Sequence, residues 1–227
     1  MKVLTDRAIR DGKALWPERF PLRELRKRKE AMGSVMFNLQ YQNDPKCALG
    51  AVFKEEWLRF YDETPGDLAV YQGVDLAISA GRFADYFAIL TVGADRDGAI
   101  YVLDVLRARL SFERQARAVE EKAAEFDPAL IAIEATGYQA ALHQVLASRT
   151  ALPVRPVRPS TDKVTRMLRL GALFENGKVF LKPSQVELRE ELLAFPEGEH
   201  DDLCDALEMA VNLARRRGGR FLSIAGV

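Results

Sequence analysis

Hydrophobic and polar positions follow two periodicities along this chain, and the change between them predicts most of its secondary structure. Three largely apolar runs at 69–77, 86–92 and 99–106 are separated by short polar or glycine-rich connections, a pattern typical of an antiparallel strand meander. After Ser111 the apolar residues recur three and four positions apart, as on one face of a helix. The pattern therefore predicts a helix of about four turns, which Asp127-Pro128 ends.

Strands and helices then alternate in the remainder of the chain. The predicted strands are at 130–134, 153–157 and 179–182, and the predicted helices are at 138–147, 162–174, 183–193 and 201–216. This order indicates an α/β fold with a mixed sheet, in which three antiparallel strands are followed by parallel strands and helices cover both faces.

The first 68 residues have a different pattern, because they carry many charges and little regular alternation. Their apolar spacing predicts two short helices at 22–32 and 34–42, separated by Gly33, and another short element at 53–61. The predicted organisation is a set of lead-in helices at 1–68 that pack on the core, a central domain at 69–217 and a flexible tail at 218–227.

The composition limits the class of protein without identifying it. Lysines and arginines number 33, aspartates and glutamates also number 33, and 48% of the 227 residues are hydrophobic, as in an ordinary globular protein. The two cysteines and two histidines form no zinc-binding pattern. No apolar run reaches the roughly 18 residues that cross a bilayer, so a membrane is not an expected partner.

The densest chemical feature is the acidic stretch Glu199-His200-Asp201-Asp202-Leu203-Cys204-Asp205, at the start of the last predicted helix. Carboxylates this close together raise one another's pKa values unless a cation lies between them. Two interpretations are open at this point. The stretch is either an acidic cap that the helix dipole favours, or one wall of a metal site that needs carboxylates from elsewhere in the chain.

Two predicted strands supply such carboxylates, because Asp75 lies near the end of the first strand and Glu134 ends the fourth. If these strands are parallel neighbours, both side chains open at the same edge of the sheet, within reach of the acidic helix. Asp75, Glu134 and Asp202 would then hold two divalent cations about 3.5 to 4 Å apart, the arrangement used in phosphodiester cleavage. Alternatively, Asp75 only caps a turn, whereas an unpaired Glu134 after a buried strand would be costly.

The choice among the aspartates follows from helical geometry and ligand chemistry. Asp202 and Asp205 are three residues apart and face the same way on a helix, whereas Asp201 points elsewhere unless it lies in the cap. Asp202 is therefore preferred, and Asp201 and Asp205 are candidates for a shared or second metal. Oxygen ligands without a Cys or His cluster favour Mg²⁺ or Mn²⁺ over structural zinc.

Three acidic motifs occur in order: Gly73-Val74-Asp75-Leu76-Ala77, then Ile131-Ala132-Ile133-Glu134-Ala135-Thr136-Gly137-Tyr138-Gln139, then His200-Asp201-Asp202-Leu203-Cys204-Asp205-Ala206. Together they resemble the nuclease domain of the large terminase subunit of tailed bacteriophages. The segments 15–20, 32–34, 37–45 and 53–57 are similar to the linker that follows the packaging ATPase in that family.

The resemblance implies an RNase H-like fold, related to Holliday-junction resolvases and retroviral integrases. It implies a metal-dependent endodeoxyribonuclease that cuts double-stranded concatemeric viral DNA during genome packaging, in the cytoplasm of the infected bacterial host. The implied partners are DNA, the packaging ATPase domain, the small terminase subunit and the capsid portal. A Gly-x-x-x-x-Gly-Lys-Ser/Thr loop is missing from the sequence, so no ATP site is predicted and the chain is either an excised domain or a standalone nuclease.

The same resemblance assigns roles to individual residues. It implies Asp75, Glu134 and either Asp201 or Asp202 as metal ligands, and it matches Asp205 to the second aspartate of the resolvase pattern. Asp85 also lies where this family often has an aspartate, although a turn residue is an equally good interpretation.

A basic segment is the predicted DNA-binding surface. Residues 149–182 contain eight lysines and arginines against two acidic residues, which gives a local charge of +6 within a neutral chain. Phosphate contacts from such a surface are independent of sequence and sensitive to salt. The predicted DNA-binding residues are Lys163, Arg166, Arg158, Arg169 and, after the third strand, Arg107.

Two alternatives to the terminase-like nuclease stay open. One is a resolvase-like or transposase-like nuclease of the same fold, which the long lead-in argues against. The other is a non-catalytic DNA-binding or docking domain whose acidic cluster only caps a helix.

Overall fold

The computed structural model describes residues 5–77, 86–134, 145–146, 149–158 and 160–217. The strands are β1 (Ile9–Arg10), β2 (Lys13–Ala14), β3 (Arg59–Phe60), β4 (Ala69–Asp75), β5 (Phe87–Ala94), β6 (Ile100–Ala108), β7 (Leu130–Glu134), β8 (Val154–Val157) and β9 (Val179–Leu181). The helices are α1 (Leu22–Tyr41), α2 (Phe112–Phe126), α3 (Lys163–Glu175), α4 (Val186–Ala194) and α5 (Asp202–Arg217), with short 3-10 turns at Pro45–Leu49 and Glu55–Trp57.

Seven of these strands form one mixed sheet in the order β3-β9-β6-β5-β4-β7-β8. The pairs β4/β5 and β5/β6 are antiparallel, whereas β4/β7, β7/β8, β6/β9 and β3/β9 are parallel. The predicted mixed sheet is therefore confirmed, including the meander and the parallel strands that follow it. The strand predicted at 130–134 has the observed bounds of β7.

Helices cover both faces of the sheet, as predicted. On one face, Val74, Ile89 and Ile133 pack in one buried cluster with apolar residues of α2. On the other face, Tyr71, Leu90 and Ala132 belong to a second cluster with residues of α3, α4 and α5. The two clusters use alternate positions of the same strands, because successive side chains of a strand point to opposite faces.

A glycine determines how closely α5 approaches the sheet. A β-carbon added to Gly73 of β4 would lie 2.0 Å from the carbonyl oxygen of Ala206 and 2.7 Å from the backbone nitrogen of Ala210. Only a glycine leaves room for backbone atoms at that distance. The backbone of α5 therefore lies directly on β4, and the first turn of α5 lies toward the end of β4 that carries Asp75.

Residues before position 69 contribute to the sheet and to its core. The strand β3 adds a parallel edge next to β9, and Phe53, Trp57 and Leu58 are buried in the same cluster as α3 and α5. The division of the chain at 68 stays a prediction.

The range of α1 contains two helical segments separated by a kink at Gly33, which has a non-helical backbone with φ of +80°. This agrees with the prediction of two short helices on either side of Gly33. A β-carbon at Gly33 would lie 2.7 Å from the Cβ of Ala172 in α3, so the same glycine produces the kink and allows the close contact. The predicted interruption at Gly33 is therefore confirmed.

Some predicted features lie outside the described residues: most of the helix at 138–147, Asp85 and the tail at 218–227. Among the helices that are described, none combines the length and the apolar character that crossing a membrane requires.

Candidate active site

Two strands bring Asp75 and Glu134 to one edge of the sheet. The parallel register of β4 and β7 pairs Val74 with Ile133, so Asp75 and Glu134 each follow a paired position at the carboxyl end of their strand. Strand alternation puts Asp75 on the face of Gly73 and Glu134 on the face of Ala132, which is the face covered by α5. The parallel pairing of β4 and β7 therefore brings the two strand ends together, as predicted.

The first turn of α5 adds its acidic residues at the same edge. Asp202 is the first residue of α5 and is only 7% exposed. The pKa of the Asp75 carboxyl is raised well above its usual value, first by burial and then by the negative charges of Asp205, Asp202 and Glu134. A positive charge, Lys163, acts in the opposite direction. The neighbouring carboxylates therefore disfavour the charged form of Asp75, which is typical of a site that accepts a cation.

Two basic residues of α3 bind the acidic residues of α5. The ammonium group of Lys163 contacts Oδ2 of Asp201 and Oδ2 of Asp205. One turn further along α3, Arg166 has Nη2 3.3 Å from Oδ1 of Asp205 and Nη1 2.8 Å from Oε2 of Glu208. Lys163 and Arg166 share one face of the helix because they are three residues apart. Two elements of opposite charge therefore meet along the α3–α5 contact.

The pKa values of these two cations reflect their partners. Burial by itself would lower the pKa of Lys163, but hydrogen bonds to Asp201 and Asp205 and their charges raise it overall. The pKa of Arg166 is also raised: burial opposes this, and the hydrogen bond to Glu208 is the largest favourable cause. The charge of Glu134 contributes to the same increase. Both side chains are therefore firmly positive where they contact α5.

Within the described ranges, no three or more Asp, Glu, His or Cys side chains are grouped in a way that could hold a metal ion. Lys163 contacts the carboxylates of Asp201 and Asp205, and Arg166 shares Asp205. The donor chemistry nevertheless fits a hard divalent cation, since the edge offers carboxylate oxygens, and burial together with neighbouring carboxylates raises the pKa of Asp75.

The N-terminus of α5 receives its cap from another helix. Glu191 of α4 is 6% exposed, and its Oε1 accepts a hydrogen bond of 2.9 Å from the backbone N–H of Cys204. Arg107 holds the other carboxylate oxygen of Glu191 at 3.3 Å. A residue of α4 therefore accepts a first-turn N–H of α5, while Asp201, in the position just before the helix, binds Lys163. The interpretation of the acidic stretch as a helix cap stays open.

Glu191 was not among the predicted site residues. It lies beside the buried residues Leu188 and Leu192 of α4. A carboxylate on the apolar side of a helix is unusual, and this position in the sequence could have indicated a buried glutamate with a specific partner. Burial raises the pKa of Glu191, and the hydrogen bond from Cys204 opposes this increase.

The five predicted DNA-binding residues fall into two groups. Arg158, just after β8, and Arg169 of α3 are exposed. The other three, Lys163, Arg166 and Arg107, are bound to carboxylates, and Arg107 bridges Glu187 and Glu191 at 3.3 Å each.

An aromatic cluster lies beside the acidic stretch and was not predicted. The guanidinium carbons of Arg107 and Arg109 are 4.8 Å and 4.1 Å from the centre of the Tyr86 ring. His200 meets the same ring edge-on at 5.0 Å. This cluster packs the residue that precedes Asp201 against the start of β5.

The fold and the acidic edge together define an RNase H-like α/β protein. A family model described as the terminase RNaseH-like domain matches residues 72–214, which is more than half of the chain, so the chain belongs to this family. The resemblance recognised in the sequence is thereby confirmed.

Solved structures agree on the fold. The large terminase nuclease of thermophilic phage G20c with bound magnesium has a TM-score of 0.57 and 16% identity, covering 72% of this chain and 97% of that chain. The nuclease domain of Thermus phage P74-26 large terminase has a TM-score of 0.55 and 16% identity, with coverages of 71% and 94%. The large terminase of thermophilic bacteriophage D6E has a TM-score of 0.64 and 9% identity, covering 84% of this chain and 52% of that one. No curated protein matches the chain.

Proposed function

We propose that this chain is a metal-dependent endonuclease that cuts double-stranded concatemeric viral DNA during genome packaging. The observation that carries the proposal is the convergence of Asp75, Glu134 and the first turn of α5 at one edge of the sheet, where burial and neighbouring charges raise the pKa of Asp75. Membership of the terminase RNaseH-like family supports the same conclusion.

In this proposal Asp75, Glu134 and Asp202 hold Mg²⁺ or Mn²⁺, with Asp201 and Asp205 as further ligands and two ions bound. Divalent cations at this position would supply an activated water and stabilise the leaving oxygen of a phosphodiester. The G20c nuclease, which shares this fold, has been solved with magnesium, with zinc and with cobalt bound, which supports divalent-metal chemistry here. Gly73 and Glu191 serve as positioning residues, because one lets α5 lie on β4 and the other caps its N-terminus.

The DNA is held mainly through its phosphates. Arg158 and Arg169 are exposed and belong to the segment with a charge of +6, so they are the best candidates for contacts along the backbone of the duplex. Lys163, Arg166 and Arg107 stay predicted DNA-binding residues. Their pairing with carboxylates limits them to a phosphate that enters the acidic edge itself.

In the full system this domain would work with the packaging ATPase, the small terminase subunit and the capsid portal, in the cytoplasm of the infected bacterial host. The D6E large terminase, of which this chain spans about half, has been solved with ADP and with ATP-gamma-S, which supports a motor partner. We assign residues 1–68 to the lead-in that connects to it, 69–217 to the nuclease domain and 218–227 to a flexible tail.

A plasmid assay tests the proposal. Purified chain and Mn²⁺ should nick supercoiled DNA, and Asp75→Asn should reduce the rate about a thousandfold, because it removes a charged ligand while keeping the size of the side chain. Asp97→Asn is the matched control, since Asp97 is an exposed carboxylate of the β5–β6 turn.

The same assay separates the alternatives. Wild-type protein that binds duplex DNA but does not nick it with Mn²⁺ or Mg²⁺ would favour a non-catalytic DNA-binding domain. Faster cleavage of branched junctions than of linear duplex would favour a resolvase-like enzyme.

A further inference from the structure

We propose that Lys163 is a built-in counter-ion of the acidic edge, and that it must leave Asp201 and Asp205 before the full set of divalent cations can bind. This inference rests on the proposed function and concerns how the same site is loaded. It makes Lys163 a residue that limits metal occupancy in the absence of substrate.

The ammonium group of Lys163 occupies the position of a cation that bridges two carboxylates. Its ammonium group contacts one carboxylate oxygen of Asp201 and one of Asp205, so a single positive charge joins two predicted ligands. An ammonium group on these oxygens opposes the binding of a divalent ion to the same carboxylates, because it repels the ion and uses a lone pair of each oxygen. Metal binding to Asp201 and Asp205 therefore competes with Lys163.

Lys163 is the more easily displaced of the two cations at this edge. Its side chain is 34% exposed and belongs to the first residue of α3, whereas the side chain of Arg166 is 13% exposed and is held by both Asp205 and Glu208. A lysine side chain has a flexible four-carbon stem, and its ammonium group is strongly hydrated. Lys163 can move into water without disturbing α3, whereas Arg166 is fixed in the α3–α5 contact.

The competition has a measurable consequence for metal affinity. Replacing Lys163 by an uncharged residue removes its positive charge from Oδ2 of Asp201 and Oδ2 of Asp205, while Arg166 keeps its contact with Oδ1 of Asp205. We expect Mn²⁺ to bind the Lys163→Gln protein about tenfold more tightly than the wild type, since Lys163 forms two partly exposed ion pairs and displacing both costs about that factor.

Isothermal titration of metal-free protein with Mn²⁺ tests this. Arg169→Gln is the matched control, because it removes one positive charge from the same helix at an exposed position. Lys163→Arg, which keeps the charge, should stay near the wild-type affinity. An affinity of Lys163→Gln no higher than that of Arg169→Gln would overturn the role of Lys163.

A second measurement follows the wild-type chain itself and uses one conservative variant only to assign a resonance. The side-chain amino resonance of Lys163, assigned by its disappearance in Lys163→Arg, should shift when Mg²⁺ is added. If Mg²⁺ binds and that resonance stays unchanged, Lys163 does not leave its carboxylates and the inference is wrong.

The two proposals fail in different ways. If wild type and Lys163→Gln bind Mn²⁺ equally, the metal site stands and only the role of Lys163 is wrong. If neither protein binds Mn²⁺ at millimolar concentration, the proposed metal site is wrong and the inference falls with it.

Discussion

The chain pairs a partly buried lysine with aspartate on each face of its sheet, and the two arrangements differ in charge balance. On the α2 face, Lys122 of α2 lies 2.9 Å from Oδ2 of Asp104 in β6 and 2.9 Å from the exposed Glu125. On the α5 face, Lys163 and Arg166 are two cations in a much larger set of carboxylates, which comprises Asp75, Glu134, Asp201, Asp202, Asp205 and Glu208.

The pKa values express the difference between the two faces. On the α2 face, burial would lower the pKa of Lys122, but hydrogen bonds to Glu125 and Asp104 raise it overall. On the α5 face, burial and neighbouring carboxylates raise the pKa of Asp75 well above its usual value. Lys122 joins α2 to β6 through Asp104 and also pairs with Glu125 of its own helix, so these ion pairs have a structural explanation. Six carboxylates against two cations on the α5 face are a larger excess of negative charge, and in the proposed function this excess belongs to the metal-binding edge.

The largest expected effect on stability comes from filling the space beside Gly73, where the backbone of α5 lies against β4. Gly73→Ala would bring a methyl group against backbone atoms of α5, so we expect a loss of about 3 kcal/mol or more in the free energy of unfolding, and loss of nicking. Urea unfolding measures the first quantity. Gly66→Ala should be nearly neutral, because a β-carbon there meets nothing within 4 Å. Equal stability of the two variants would mean that α5 does not need the close contact.

The second-largest expected effect is the stabilisation of the folded protein by Mn²⁺, measured in a variant of each face. Mn²⁺ at about a hundred times its dissociation constant should stabilise the wild type by about 2.7 kcal/mol, because only the folded state assembles the carboxylates. Asp75→Asn should abolish this gain, measured by thermal unfolding with and without Mn²⁺. Asp104→Asn should keep it. A gain that survives Asp75→Asn and disappears with Asp104→Asn would reverse the functional assignment of the faces.

The smallest expected effect concerns the exposed arginines near the α5 face. The double substitution Arg158→Glu and Arg169→Glu should weaken duplex binding at low salt and reduce the slope of log affinity against log salt by about 2, because each arginine neutralises one phosphate. Fluorescence anisotropy across a salt series measures both. Arg114→Glu with Arg117→Glu is the matched control, because these arginines are exposed on α2. Equal weakening in both double variants would show that only overall charge matters.

The order of the elements was predictable because its signals are local. Period-two alternation and short apolar runs identified β4, β5, β6 and β7, and the 3.6-residue period identified α2, α3 and α5. The hairpin of β1 and β2 was missed, since strands of two residues are too short for a periodicity. Its turn does contain the Asp11-Gly12 pair, with positive φ at both residues, which is a recognised hairpin signal.

The sequence by itself determined that Asp75 and Glu134 end apolar strands and that an acidic turn opens the last helix, because each of these facts depends on neighbours along the chain. Tertiary structure decided which charges meet. Lys163 contacts Asp201 and Asp205, and Glu191 caps α5, only because α3 and α4 pack beside α5. Contacts between helices far apart in sequence depend on packing geometry, which no local pattern encodes.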